Sequence, residues 1–324
     1  MNILITIKGK TMANRYVVKY LTHQERLAVV RPEGVKAEIE AWLASINQQM
    51  SVFRKDSDIS RFNALKAGQA LVIAPEFARV LREAQRLHQE TEGGLDITLA
   101  PLIDAWGYGV HSASDVPDAC ILAHLRAAVG MEKFSLESSD GQHVLLKHDS
   151  DMRLDVSAIA KGYAVDGIAK ILDDLGIDNY LVDIGGEMRA RGVNAQARPW
   201  RVAVENPVQA AQSVVVSLDN QCIATSGNYR HCRRDASGRL VHHVISPVSL
   251  APTAADVLSV SVIADSVMRA DGLATGLYTL GIKRALALAD AHQWAICFLI
   301  MGARNQVECH CSAAFLPFLM EEML

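Results

Sequence analysis

The run Leu154-Asp155-Val156-Ser157-Ala158-Ile159-Ala160-Lys161-Gly162-Tyr163-Ala164-Val165-Asp166 constrains the fold most. It reads as a short apolar strand, Arg153 to Val156, a turn through small residues around Lys161, and a helix from Tyr163 to Leu175. Small residues at such a turn let backbone approach a large ligand. Free N–H groups at a helix start suit an anion or phosphate. A tightly packed strand-to-helix turn that binds nothing has the same pattern, so the run alone leaves both readings open.

The surrounding pattern mixes helices and strands. Val35, Ile39, Trp42, Leu43 and Ile46 recur at helical spacing within Gly34 to Met50 and predict a core-facing helix, with Trp42 in the core rather than on a cofactor. Further helices are expected over Glu76–Thr91, Pro101–Trp106, Pro117–Val129, Ser266–Leu280 and Lys283–His292. Strands are expected over Met12–Leu21 with an addition at Leu27–Val30, across Phe134–Leu146, and at Ala295–Ile300. Between Asn179 and Val262 short strands alternate with Gly, Pro and Asn. Ser51 to Asn63 reads as polar and irregular, and 111–119 and 207–212 as loops rather than domain boundaries. No repeat or linker interrupts the chain, and the order of elements indicates an α+β fold in one integrated domain spanning 1–324.

At 324 residues the chain can bury roughly three quarters of its unfolded surface. A net charge of −4 gives no electrostatic case for nucleic acid, and Arg233-Arg234 reads as a solvated loop. No apolar run reaches the about 18 residues of a membrane span. The first eight residues are too short for a signal peptide, and no lipid-anchor Cys follows them. The expectation is a cytoplasmic protein as the chain stands, or a periplasmic, membrane-anchored one if an export segment precedes it. Six scattered cysteines without a CxxC pair argue against a zinc ribbon. In Cys309-His310-Cys311, a strand would turn His310 away from both cysteines, which argues against the three forming one metal site.

Asp271 and Thr275 stand four residues apart, so a helix over Ser266–Leu280 puts both oxygens on one face. Hard oxygen ligands of this kind suit Mg²⁺. The alternative is that Asp271 caps the helix and Thr275 bonds its own backbone.

With both segments in view, the chain resembles the ApbE-like flavin transferases, the FAD:protein FMN transferases. The matching pieces run in order through Gly9–Met12, Ser51–Asn63, Gly94–Leu102, Trp106–Gly109, the Lys161 turn, Asp183–Glu187, Trp200, Glu205–Pro207, Ala224–Tyr229, His243–Pro247 and Asp271–Thr275. The resemblance implies an antiparallel, T-fold-like sheet with packed helices. It implies transfer of FMN from FAD, with Mg²⁺, to a Ser or Thr hydroxyl of a target protein and release of AMP. The implied partner is an acceptor flavoprotein subunit of an ion-pumping or respiratory complex.

Residue by residue, the resemblance implies that the Asp271 carboxylate, the Thr275 hydroxyl and the Ala158 backbone carbonyl hold the metal. Phe53 stands at the family's flavin-stacking position, where Tyr is common; the competing role is a loop aromatic in the core, a role better suited to Phe62. Met12, Gly94, Leu95, Asp96, Asp155 and Ile245 match FAD contacts, and Lys161 would meet phosphate or ribose oxygens. Trp106 and Tyr108 would shape the pocket wall. His243, four residues before Pro247, would carry the proton of the attacking hydroxyl, with Asp271 as the competing base.

Two departures stand out. The family's Thr-Met-Gly-Thr is Thr11-Met12-Ala13-Asn14, and its Asp-Pro-x-Thr-Gly is Ser246-Pro247-Val248-Ser249-Leu250. The lost Asp and Gly put the second turn in question. Two alternatives therefore stand beside transfer: Mg²⁺-dependent hydrolysis of FAD to FMN and AMP, and a flavin-binding maturation factor without turnover.

Overall fold

The computed structural model describes residues 2–111, 116–208, 213–228, 232–234, 240–253, 256–302 and 306–320. The loops expected at 111–119 and 207–212, and Tyr229 of the 224–229 motif, lie wholly or partly outside the described residues.

Two strands open the chain, β1 (Asn2–Thr11) and β2 (Asn14–His23), paired antiparallel from Asn2↔His23 to Thr11↔Asn14. The strand expected at Leu27–Val30 does not form; Gln24–Ala28 is a 3₁₀ turn instead. Helix α1 (Pro32–Met50) begins with Pro at its first turn, where a missing N–H costs nothing, and buries Val35, Ile39, Leu43 and Ile46. Trp42 lies against the chain's central helix, its Nε1 donating to the Ala164 carbonyl at 3.0 Å. The segment expected to be irregular carries a short helix, α2 (Asp58–Asn63), because Ser57 caps it by accepting from the Ser60 N–H. After β3 (Ala70–Ile73) come α3 (Pro75–Glu90), α4 (Ala100–Ala105) and α5 (Ala119–Ala127). The hairpin β4 (Phe134–Ser139) and β5 (Gln142–Lys147) forms a small sheet with β3.

Arg153–Val156 is not a strand; it makes a single bridge, Leu99↔Arg153. Its backbone is held by a side chain instead: Asn63 Nδ2 donates to the Leu154 carbonyl and Asn63 Oδ1 accepts from the Leu154 N–H. Helix α6 (Ser157–Asp174) starts six residues before the predicted helix, so Lys161 lies within the helix and not in a turn.

The remaining strands are β6 (Tyr180–Ile184), β7 (Glu187–Arg191), β8 (Trp200–Val204), β9 (Val214–Leu218), β10 (Cys222–Gly227), β11 (Cys232–Arg234), β12 (Leu240–His242), β13 (Val257–Ala264), β14 (Ala295–Met301) and β15 (Val307–Cys311). Helices α7 (Val267–Leu280) and α8 (Ile282–His292) join β13 to β14. Eight strands make one antiparallel sheet in the order β1-β2-β6-β7-β10-β13-β14-β15. The mixed, antiparallel α+β architecture matches the sequence reading. Seven of the eight residues of β13 are buried, because helices cover one face of the sheet and a second core, containing Trp200, Val216 and Phe315, covers the other.

Helices α6 and α7 are fixed to each other at their ends. Asp166 on α6 accepts the Val267 and Met268 N–H groups at 3.0 and 2.9 Å, satisfying two orphan donors at the start of α7. That clamp sets which residues of the two helices face one another.

Candidate active site

A cavity of about 980 Å³ opens between the start of α6, the middle of α7, the β1–β2 turn and the segment after β12. All of Met12, Phe53, Gly94, Leu95, Asp96, Asp155, Ala158, Lys161, His243, Ile245, Asp271 and Thr275 line it. Twelve residues chosen from positions 12 to 275 thus converge on one space.

At its floor lies a buried charge cluster. Lys161 Nζ is 2.8 Å from Glu187 Oε1 and 3.3 Å from Asp271 Oδ1. Asp271 Oδ2 accepts the Gly162 N–H at 2.9 Å. In an α-helix that N–H is also the regular partner of the Ala158 carbonyl, so the Asp271 carboxylate and the Ala158 carbonyl are neighbours. Asp271 therefore does not cap its helix; Ser266 does that. Thr275 Oγ1 lies 2.8 Å from Ser226 Oγ on β10, and so is tied to the sheet.

Two carboxylates share one lysine, so the cluster carries one negative charge in excess when both are ionised. Burial raises both carboxylic acids, with the Lys161 ammonium opposing; the balance takes Glu187 up to about 7. Burial would lower Lys161, but Asp271 and Glu187 together outweigh it and hold the ammonium above its ordinary value. Glu187 Oε2 is buried and has no hydrogen-bond partner among the described residues. An excess carboxylate charge with an orphaned oxygen, beside a hydroxyl and a carbonyl, is a donor set suited to a hard divalent cation. Glu187 was given no role from sequence. The signal available was the Gly185-Gly186 pair before it: both adopt positive φ, making the two-residue turn that brings Glu187 to the first position of β7.

Lys161 differs from the expectation of an open point charge. Two carboxylates already take its donors, so of its three N–H groups one remains for a ligand oxygen. Asp96 and Asp155 also begin with local duties: one oxygen of each accepts a backbone N–H two residues on, from Thr98 and Ser157, both at 2.8 Å. Their second oxygens are the ones that could serve a ligand. Burial raises the Asp155 acid.

The rim is built by unusual backbone. Met12 and Ala13 both have positive φ, 48° and 58°, in the two-residue β1–β2 turn. Asn14 Nδ2 supports that turn by donating to the Met12 carbonyl at 2.8 Å. Gly94 lies so close to α7 that a Cβ there would stand 2.4 Å from the Gly276 carbonyl oxygen. Phe53 is 70% exposed, which rules out its role as a core plug, whereas Phe62 is fully buried.

His243 lines the cavity with its ring edge-on to Tyr108, centroids 6.3 Å apart. His242 points away, fully buried, with Nε2 3.0 Å from the Thr253 carbonyl oxygen. Tyr108 lines the cavity; Trp106 lies behind it, donating from Nε1 to the Leu250 carbonyl at 2.9 Å. Arg233 is no solvated loop residue: it is half-buried in β11 and donates to the Trp106 carbonyl at 2.9 Å.

The turn after His243 forms despite its altered sequence. Leu250 N–H donates to the Ser246 carbonyl and Ser246 N–H to the Ala251 carbonyl, both at 2.9 Å. Ser246 Oγ accepts from the Val248 and Ser249 N–H groups at 3.3 and 3.4 Å, a short substitute for a carboxylate. Leu250 takes a φ of 57°, a conformation that costs about 1–2 kcal/mol for a residue with a Cβ. Its buried side chain, packed with Leu102 and Trp106, offsets that cost.

A cavity of this size, at the upper end for small-molecule sites, with convergent polar groups and perturbed acids, has the features of an enzyme active site for a large ligand on an α+β scaffold. The sequence model of the ApbE family matches residues 12–299, and the chain belongs to that family. It is 38% identical over 317 residues to the FAD:protein FMN transferase of Haemophilus influenzae, covering 96% of this chain and 90% of that protein. It is 36% identical to the FAD:protein FMN transferase of Vibrio cholerae, covering 97% and 92%. The fold superimposes on the flavin transferase ApbE from Vibrio cholerae with a TM-score of 0.88 at 35% identity, covering 98% of this chain and all of that one.

Proposed function

We propose that this chain is an FAD:protein FMN transferase that moves FMN from FAD onto a Ser or Thr hydroxyl of an acceptor protein and releases AMP. The observation that carries this reading is the Lys161–Asp271–Glu187 cluster at the floor of a dinucleotide-sized cavity. Its excess negative charge and orphaned Glu187 oxygen support a divalent cation held by Asp271, Thr275 and the Ala158 carbonyl. Mg²⁺ bound there would supply positive charge against the oxygens of the phosphoanhydride.

The chain's own residues do the rest. The Phe53 face at the mouth offers a stacking surface for a flavin or adenine ring. Met12, Leu95 and Ile245 supply apolar wall, and Gly94 keeps that wall close to α7. The free oxygens of Asp96 and Asp155 suit ribose or base donors. Lys161 directs its remaining N–H at a ligand oxygen. His243, in the cavity wall, takes the proton as the acceptor hydroxyl attacks. A bond forms between that oxygen and the phosphorus of the FMN half, the phosphoanhydride P–O bond breaks, and AMP leaves with the released electron pair.

The retained Ser246–Leu250 turn supports a working His243 segment over the reading without turnover. Incubating the protein with FAD, Mg²⁺ and a Ser/Thr acceptor peptide tests the assignment. Covalent flavin on the peptide with stoichiometric AMP is the expected result. Free FMN with AMP would make it a hydrolase, and unchanged bound FAD a carrier.

A further inference from the structure

Outside the active site, three thiols meet on one face of the sheet. Strands β14 and β15 pair antiparallel with Cys297 opposite Cys311 and Leu299 opposite Cys309. Alternation along β15 puts Cys309 and Cys311 on the same face, and the register puts Cys297 there too. Cys309 Sγ lies 3.2 Å from Cys297 Sγ and 3.5 Å from Cys311 Sγ, and all three sulfurs fall within 4.8 Å of one another. His310 and Glu308 occupy the opposite face and pair with each other at 3.2 Å. Sequence spacing singled out Cys309 and Cys311 but not Cys297, which comes from twelve residues earlier and completes the set.

We propose that Cys297, Cys309 and Cys311 form a trithiolate site for a single soft cation of the Cu(I) class. Three sulfurs about 2.3 Å from one ion stand roughly 3.7–4.0 Å from each other, so sulfurs at 3.2 and 3.5 Å need to part by under about 1 Å, which rotation about the cysteine χ1 bonds supplies. The donor set is sulfur alone, the choice of soft cations and not of the hard ion suited to the cavity floor. Among the described residues no fourth His, Cys, Asp or Glu joins the three sulfurs, a donor number that suits Cu(I), whereas Zn(II) would need a water to complete its four. Access is asymmetric: Cys297 is buried, Cys311 half-buried and Cys309 exposed, so an ion enters from solvent and is anchored in the core. Because β15 is the edge of the eight-stranded sheet, the bound ion would fasten that edge to its neighbour.

The test uses the full chain, fully reduced and kept free of oxygen, titrated with Cu(I) against a chromophoric Cu(I) chelator. One equivalent should bind, and the melting temperature should rise on addition. Cys309→Ser and Cys311→Ser, at the two more accessible positions, should each weaken binding by at least about 100-fold. Cys120→Ser, an exposed cysteine elsewhere, should change neither readout. Equal binding by Cys309→Ser and the parent, no binding by the reduced parent, or tighter binding of Zn(II) than of Cu(I) would each overturn the assignment. The outcome does not depend on whether the cavity transfers FMN.

Discussion

Lys161 and Asp271, 110 positions apart in the chain, meet at 3.3 Å across the interface of α6 and α7. The same carboxylate takes the Gly162 N–H, so Asp271 is at once a candidate metal ligand and a fastener between two helices. Alanine at 271 would leave buried donors facing nothing, a loss typically worth 1–3 kcal/mol or more. Asp271→Asn separates the two duties. It keeps an acceptor for Gly162 and removes the charge; it should abolish Mg²⁺-dependent transfer while thermal unfolding still shows one cooperative transition. Undiminished turnover would take Asp271 out of the metal set.

Phe53 presents its ring to solvent at the cavity mouth, where burial by a ligand is its main available gain. Phe53→Ala should weaken FAD binding by about 1–3 kcal/mol with little effect on stability. Flavin fluorescence titration of both proteins reads this directly, and equal dissociation constants would remove the stacking role.

For His243 the expected signature is kinetic. His243→Asn should slow transfer by about 10²–10⁴-fold and leave FAD affinity nearly unchanged. A loss confined to affinity would make it a ligand contact, and Asp271 the better base.

The β1–β2 turn holds Ala13 at a φ of 58° with its side chain in solvent. Ala13→Gly should relieve the strain and stabilise the protein by about 1 kcal/mol, since no packing is lost. Urea unfolding measures the change; a destabilised variant would mean that the turn is not strained.

Lys147 is fully buried on β5, with Nζ donating to the Asn63 carbonyl at 2.8 Å, and so supports the asparagine that positions Leu154 before α6. Burial, aided by nearby Arg153, pushes its pKa down to about 8 from 10.5. Between those values the unfolded chain binds the proton that the folded one has released, so stability should rise with pH from about 8 to 10. The slope for one group is at most about 1.4 kcal/mol per pH unit. Lys147→Met should flatten it in denaturant titrations at pH 8 and 10.

Local chemistry was legible in the sequence. The spacing of Val35, Ile39, Leu43 and Ile46 located α1, the small residues around Lys161 pointed to a helix there but not to its start at Ser157, and the four-residue interval put Asp271 and Thr275 on one helix face. Helical and strand periodicities are properties of neighbouring residues, so a linear reading recovers them. Arg153–Val156 misled because an apolar run carries no record of its partner. Asn63, 91 positions away, takes the Leu154 hydrogen bonds a strand would have used.

What only the tertiary structure decided is who faces whom. Glu187 joined the cluster because a two-glycine turn on β6–β7 aims it at Lys161, and Cys297 met Cys309 because the β14–β15 register sets it there. Leu250 could hold a glycine's conformation because a buried pocket receives its side chain. Each outcome depends on packing between segments far apart in sequence, whose energies exist only once the core has closed and water has left.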